Sequence, residues 1–406
     1  MVKPGYKQTE IGVIPEDWEA KKIGSFARIC MCKRIFADQT TNIGEIPFYK
    51  IGTFGGKPDA YISQSLYTEY KNKYSFPEKG DVLISAAGTL GRTVVFDGKD
   101  SYFQDSNIVW LDIDKTQICN EYLKHYYEVI KWAASEGSTI SRLYNGIIES
   151  TYITVPPLAE QKRIAEALSD VDELIASLEK LIEKKKAIKQ GVMQELLTGK
   201  RRLPGFSGEW KSVCLLEIGH FIKGSGISRA DANSGKLPAV RYGELYTKHT
   251  DYVKSYYSHI SLDVAATATP VTYGAILFAA SGETKEEIGK CAAIIEDLTV
   301  YAGGDILIFV PDKPIHPVFL GTLLNTPEVC KQKAQRGQGD AIVHIHADSL
   351  SQIKVQIPNY DEQAAVADML LSTDREIDLL KMKLAKARQV KQGMMQQLLT
   401  GRTRFK

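Results

Sequence analysis

Apolar residues fall at Ile164, Leu168, Val171, Ile175, Leu178 and Ile182, alternating steps of four and three that place them on one seam of an α-helix. After a charged interruption over Glu183 to Lys186 the stripe resumes at Ile188, Val192 and Leu196, and Gly199 stands where a left-handed C-terminal cap belongs. A helix from Glu160 to Leu197 would be roughly 57 Å long at about 1.5 Å per residue, and a helix of that length must bury its stripe against a partner.

The partner is legible in the chain itself. The segment from Val155 recurs from Ile357 at a constant offset of 202, without a gap, and over Pro156 to Arg202 19 of 47 positions are identical. Glu160-Gln161 returns as Glu362-Gln363, and Lys189-Gln190-Gly191 as Lys391-Gln392-Gly393. Leu196 to Gly199 returns as Leu398 to Gly401. The second stripe reads Val366, Leu370, Thr373, Ile377, Leu380 and Leu384. The two helices are expected to pair as a coiled coil, and an internal two-fold axis then requires them to run antiparallel, with a globular domain at each end. The charges of the first helix are nearly balanced, which makes it a spacer and docking surface rather than a phosphate-binding face.

Between the helical repeats lie blocks of short β-like runs broken by Gly, Pro and Asn. In the first, residues 46–54, 81–87, 93–97 and 107–113 read as strands and 120–134 as a helix. In the second, 237–246, 274–281, 290–295 and 305–310 read as strands and 316–334 as helical. Gly137 matches Gly339 at the same offset of 202, and Trp18 parallels Trp210, so the whole chain reads as a tandem duplication. The predicted fold is α+β: domains at 1–155 and 203–357, joined by repeated long helices at 156–202 and 358–406. Divergence is greatest in the loops between these anchors, so one scaffold carries two different surfaces.

Composition narrows the function. The 406 residues are 44% hydrophobic and 25% charged, as in ordinary globular proteins, with a net charge of +2 that rules out coating nucleic acid through bulk charge. No run reaches the roughly 18 apolar residues that cross a bilayer, and the N-terminus lacks a signal-peptide core, so a cytoplasmic protein without a membrane is expected. The six cysteines form no C-x-x-C pair. P-loop, dinucleotide, G-x-S-x-G and H-E-x-x-H signatures are all missing. His344-x-His346 lacks a third ligand of suitable spacing, and no metal site is assigned.

The loops at 49–57, 85–93, 241–249 and 281–290 combine glycine with Lys, Arg, Thr and aromatic side chains, a mixture suited to groove contact. Lys50, Arg92, Arg241 and Lys285 are candidate base or phosphate donors, with Thr53 in the same loop as Lys50, and Glu244 could accept from cytosine. Arg142 and Arg336, near the matched glycines, are candidate phosphate contacts. Unlike domains would read unlike half-sites about one helical turn, roughly 34 Å, apart. Two other readings compete. A metal-dependent nuclease would use the loose pattern of Asp59, Glu69 and Lys71, and a coiled-coil scaffold would bind proteins through its end domains.

The repeat and the phrases PPLAEQKRIAEAL, KQGVMQELLTGKRRLPGF and GYKQTEIGVIPEDW resemble the specificity subunit of type I restriction-modification systems over essentially the whole chain. The second copy departs from the family pattern at IPNYDEQ. The resemblance implies two target-recognition domains reading a bipartite site on double-stranded DNA, and no catalysis on this chain. It implies that two modification (methyltransferase) subunits bind S-adenosylmethionine and methylate adenine, while restriction subunits use ATP, with magnesium also on the partners and no cofactor here. It further implies that the helices dock the methyltransferase subunits, with Glu160, Gln161, Lys189, Gln190, Glu362, Gln363, Lys391 and Gln392 as docking candidates, and that their separation sets the gap between half-sites.

Overall fold

Two helices of 39 residues each, Leu158–Leu196 and Tyr360–Leu398, carry the repeated segments. The computed structural model describes residues 2–130, 132, 142–339 and 342–405. Contacts divide the chain into one unit of Met1–Lys180 with Met382–Lys406 and another of Leu181–Lys381. Each unit therefore contains a globular block and a portion of both helices.

Within each unit the helix portions run antiparallel. In the first, Asp172 pairs with Lys391 and Glu179 with Arg388; in the second, Lys185 pairs with Glu376 and Lys189 with Asp374. The seam is apolar as the spacing predicts: Ile164, Leu168, Leu178, Ile182, Val366, Leu370, Ile377 and Leu380 are buried. Ile188 departs from it at 48% exposure, so the resumed stripe does not face the partner helix there. The caps do hold, because Gly199 and Gly401 adopt φ of +68° and +69°. A Cβ on Gly401 would also lie 2.5 Å from Pro15 and 3.2 Å from Trp18, so packing as well as conformation demands glycine.

The duplication extends to sheet topology, beyond the reach of sequence identity. The first block has an antiparallel sheet in the order Ala27–Cys30, Ile108–Ile113, Val82–Ser85, Thr93–Val95. The second repeats it with Gly219–Lys223, Ile306–Pro311, Ile276–Ala279 and Cys291–Ala293. A smaller sheet centres on Ile46–Tyr49, antiparallel to Ala60–Ile62 and parallel to Tyr102–Phe103. Its counterpart centres on Leu237–Val240, antiparallel to Ser258–Ile260 and parallel to Val300–Ala302. A two-stranded ribbon leads into each long helix, Glu19–Lys22 with Tyr152–Val155 and Lys211–Cys214 with Lys354–Ile357. The architecture is the expected α+β class with an internal repeat.

The helix ends are rooted in the block cores. Ile164, Leu168, Met395 and Leu398 pack with Trp18, Ile23, Tyr122 and Ile153. Leu196, Val366 and Leu370 pack with Leu215, Phe309, Phe319 and Val355. Burying such side chains contributes roughly 1.5–3 kcal/mol each, so each block and its helix portions stabilise one another.

Several local expectations are corrected. Residues 241–246, read as the end of a strand, turn into the helix Tyr242–Thr247, because the Glu244 carboxylate reaches back to accept the Arg241 backbone N–H and closes the first turn. The strand expected over 46–54 stops at Tyr49, where Thr53 Oγ1 accepts the Lys50 N–H at 3.1 Å and closes a turn. The helix expected over 316–334 is two helices, Pro317–Leu324 and Pro327–Ala334, since Pro327 cannot donate to the preceding turn and instead begins the second. The helix at 120–134 is observed as Asn120–Tyr127, and residues 131, 133 and 134 lie outside the described residues, as does Gly137. The helix Gln64–Lys73 is not among the elements the sequence predicts; a short stripe of Leu66, Tyr67 and Tyr70 packs it on the core within an otherwise polar run.

Candidate nucleic-acid interface

Where the central strand of each small sheet ends, a cation stands at the same step of the fold: Lys50 after Tyr49 and Arg241 after Val240. Both backbone N–H groups donate to the side chain three residues on, Lys50 to Thr53 and Arg241 to Glu244, each at 3.1 Å. The backbone device is shared; the side-chain chemistry is not.

Lys50 reaches Asp59 at 2.9 Å in a pair whose members are 42% and 58% exposed, a contact that solvent screens strongly. Arg241 is locked in place. Its Nε donates to Ser258 Oγ at 3.0 Å and its Nη2 to Glu244 Oε1 at 3.4 Å, while Ser258 Oγ donates to that same oxygen at 2.5 Å. Glu244 is buried and accepts from three donors, so it has no free oxygen to offer a cytosine; its expected role as a base reader is corrected to that of an internal support.

The other candidates separate by surroundings. Arg92 donates to the Phe54 carbonyl and bridges the loops at 85–93 and 49–57. Arg142 is exposed and reaches Asn107 Oδ1 at 3.4 Å. Lys285 is exposed, flanked by Glu283, Glu286 and Glu287. Arg336 caps its own helix by donating to the Gln332 carbonyl at 2.9 Å.

The helix candidates split into an internal set and an outer set. Glu160 and Glu362 are buried and anchor two latches. Arg404 Nε and Nη2 each donate to Glu160 at 2.7 Å, Trp18 Nε1 donates to it at 2.9 Å, and Arg404 also grips Asp17. The Glu160 and Asp17 carboxylates raise the Arg404 pKa further above its ordinary value. In the other unit Arg202 donates through Nε and Nη2 to Glu362 and lies over the Trp210 ring at 5.7 Å. The Trp210 Nε1 is buried without a partner, and Arg202 Nη1 donates to the Gly208 carbonyl where Arg404 grips Asp17, so the copies differ at both points.

Gln161 is buried and accepts from the Cys119 N–H while donating to the Gln117 and Pro156 carbonyls; Gln363 accepts from the His316 N–H and donates to Pro358. These four residues are engaged inside the units, and docking through their side chains is corrected accordingly. Lys189 and Lys391 are largely covered by their ion pairs at 18% and 14% exposure, whereas Gln190 and Gln392 are exposed. Arg202, Arg404 and Asp17 were missed as latch residues. A signal was present, since both arginines, both glutamates and both tryptophans recur between the halves.

Lys391 contacts both Glu128 and Asp172 at 2.7 Å, beside the fully buried His125. Glu128 is pushed up by burial but held below its ordinary pKa by His125 and Lys391. Burial likewise raises Asp374, and Lys189 and Tyr252 pull it lower. These carboxylates are the partners of internal cations. Among the described residues, His125, Glu128 and Asp172 form the one group spaced for a metal ion, and the Lys391 ammonium already lies between its carboxylates.

The nuclease pattern does not assemble. Asp59 pairs with Lys50, Lys71 donates to Tyr67 Oη at 2.9 Å, and Glu69 is two residues from Lys71 on one helix, a spacing that turns them away from each other. His344 and His346 are both exposed, with His344 on Ser281 at 3.0 Å. All six cysteines are free, and burial pushes the Cys32 thiol up to about 12. No helix among the described residues is long and apolar enough to cross a membrane.

Comparison with known proteins gives concordant results. The family model described as type I restriction modification DNA specificity domain matches twice, at residues 15–190 and 207–389. A type I restriction enzyme specificity subunit of Haemophilus influenzae is 57% identical over 157 residues, 39% of this chain and 41% of that protein. The MjaVIII specificity subunit of Methanocaldococcus jannaschii is 26% identical over 97% of this chain and 94% of its own. Among solved structures, the S subunit of a type I restriction-modification system from M. genitalium covers 98% of this chain and 99% of its own, with TM-score 0.61 at 16% identity. A chain from a structure of complex assembly and conformational transition in the type I R-M system covers 96% of this chain and 99% of its own, with TM-score 0.57 at 15% identity. At these identities the structural likeness shows the fold.

Proposed function

Because this chain belongs to the type I restriction-modification DNA specificity family, we propose that it is a noncatalytic specificity subunit in which each block reads one half of a bipartite site on double-stranded DNA. The observation that carries this reading is the duplicated frame with unlike loops: topology, latches and capping devices recur, while Lys50 with Thr53 is replaced by Arg241 with Glu244. A frame held constant and a surface allowed to differ suit recognition of two unlike half-sites.

In this reading catalysis belongs to partners: two methyltransferase subunits using S-adenosylmethionine, and restriction subunits using ATP and magnesium. The partners dock on the outer faces of the long helices, where Gln190 and Gln392 are exposed, and the helices set the gap between half-sites. Lys50, Arg92, Arg142 and Lys285 supply DNA contacts, the flexible lysines acting mainly on phosphates. The site of action is the cytoplasm, where DNA and these partners meet.

The test is methylation-sensitive sequencing of genomic DNA from matched cells expressing the modification subunit with and without this chain. Methyladenine at a split motif only when the chain is present is the expected result. No new methylation, with the modification subunit active beside a known specificity chain, would overturn the reading.

A further inference from the structure

We infer that Arg241 reads a guanine in the half-site of the second block, and that Glu244 and Ser258 are positioning residues that aim it. The inference rests on the specificity-subunit reading and deepens it by assigning one base to one side chain.

The argument begins with the guanidinium's five N–H groups in a fixed plane. The edge formed by Nε and Nη2 is occupied: Ser258 Oγ takes Nε, and Glu244 Oε1 takes Nη2. Ser258 and Glu244 are themselves joined at 2.5 Å and buried, so they form a rigid support rather than a pair of mobile partners. The opposite edge, formed by Nη1 and the remaining Nη2 proton, has no partner among the described residues. The side chain stays 30% exposed while its Nε and one Nη2 proton are held. The neighbouring Gly243 has no heavy atom within 4 Å of where a Cβ would sit, which leaves room for close approach.

A pair of parallel donors in one plane matches the O6 and N7 acceptors on the major-groove edge of guanine, and no other base offers two acceptors there. A phosphate contact needs only charge and gains little from a locked plane, and a flexible lysine such as Lys50 serves it well. Immobilising the guanidinium before DNA arrives removes the ordering cost that a free arginine would bear on binding. The buried carboxylate therefore has a purpose beyond stability: it orients the fork.

The experiment uses the full chain with its modification subunit and reads the methylated motif from genomic DNA for the wild type, Arg241→Lys, Glu244→Gln and Ser258→Ala. Arg241→Lys is expected to relax one guanine position in one half-site by about tenfold or more, leaving every other position and the other half-site unchanged. Glu244→Gln and Ser258→Ala should relax that same position to a smaller degree. A merely structural role would lower methylation without selecting a base. If Glu244→Gln does not accumulate as folded protein, Ser258→Ala tests the support alone. A uniform fall in methylation with the motif intact, or relaxation at any other position, overturns the assignment. A wild-type chain that directs no split motif would instead overturn the specificity reading itself, a distinguishable result.

Discussion

Lys50 and Arg241 stand at the same step of two copies of one fold, yet the first is a solvent-screened point charge and the second a plane fixed by a buried carboxylate. The backbone around them is the same, since each N–H is capped at 3.1 Å by the residue three positions on. Duplication has thus preserved what holds the loop and changed what the loop presents. The latches show the complementary pattern, with arginine, glutamate and tryptophan retained in both halves. There the differences lie at the rim and at the ring: Arg404 also grips Asp17 where Arg202 donates to the Gly208 carbonyl, and Trp18 donates to Glu160 while the Trp210 indole N–H is buried without a partner.

That contrast can be broken most forcefully at the latches. Arg404→Met leaves Glu160 buried with Trp18 as its remaining side-chain donor and should destabilise the first unit by about 3 kcal/mol, the low end for a broken buried pair. Arg202→Met should cost more, because Glu362 is 1% exposed and has no indole donor, whereas the Asp17 contact that Arg404 also loses involves a 55% exposed carboxylate that solvent screens. Thermal or urea unfolding of the two variants checks the order, and an equal or reversed ranking would remove the tryptophan from the account.

A smaller effect sharpens the same point. Trp18→Phe removes a buried hydrogen bond to a carboxylate and should cost about 1–2 kcal/mol beyond lost packing. Trp210→Phe removes an N–H that has no partner and should show no such penalty. Comparing denaturant midpoints of the pair isolates the hydrogen bond from the ring.

The smallest expected effect is with pH. The folded-state pKa values of Glu128 and Asp374 are both depressed, so each contributes stability that is present above its unfolded value and lost as pH falls through the folded one, from about pH 4 downward. Lys391 is raised by Asp172 and Glu128 against the opposing effect of burial, so its contribution is full below about pH 10.4 and fades as pH rises through its folded value. Unfolding followed across pH should show an acid loss reduced by Asp374→Asn and an alkaline loss reduced by Lys391→Met.

Much of the frame was legible in the sequence because its signals are local or repeated. The heptad-like spacing located both long helices, and the constant offset exposed the duplication. Gly199 and Gly401 marked their ends correctly. What the sequence hid was side-chain partnership across long separations. Glu160 and Glu362 were docking candidates only through the family resemblance, but both are held by arginines 244 and 160 positions away along the chain. Glu244 looked like a base reader because its loop is glycine-rich and basic. Its actual partners are Arg241 on the same turn and Ser258 on a neighbouring strand, and strand pairing is what brings that serine close. Ile188 fits the apolar period but lies exposed, since spacing alone does not say where a partner helix supplies a surface.

The central claim is that one frame carries two independent reading surfaces, and a duplicated-block chimera tests it most directly. In that chain residues 203–357 are replaced by a second copy of residues 1–155, and the methylated motif it directs is sequenced beside that of the wild type. The account predicts a split motif whose two halves carry the same bases, those of the wild-type half-site read by the first block. A folded chimera that still directs the half-site belonging to the second block would contradict it.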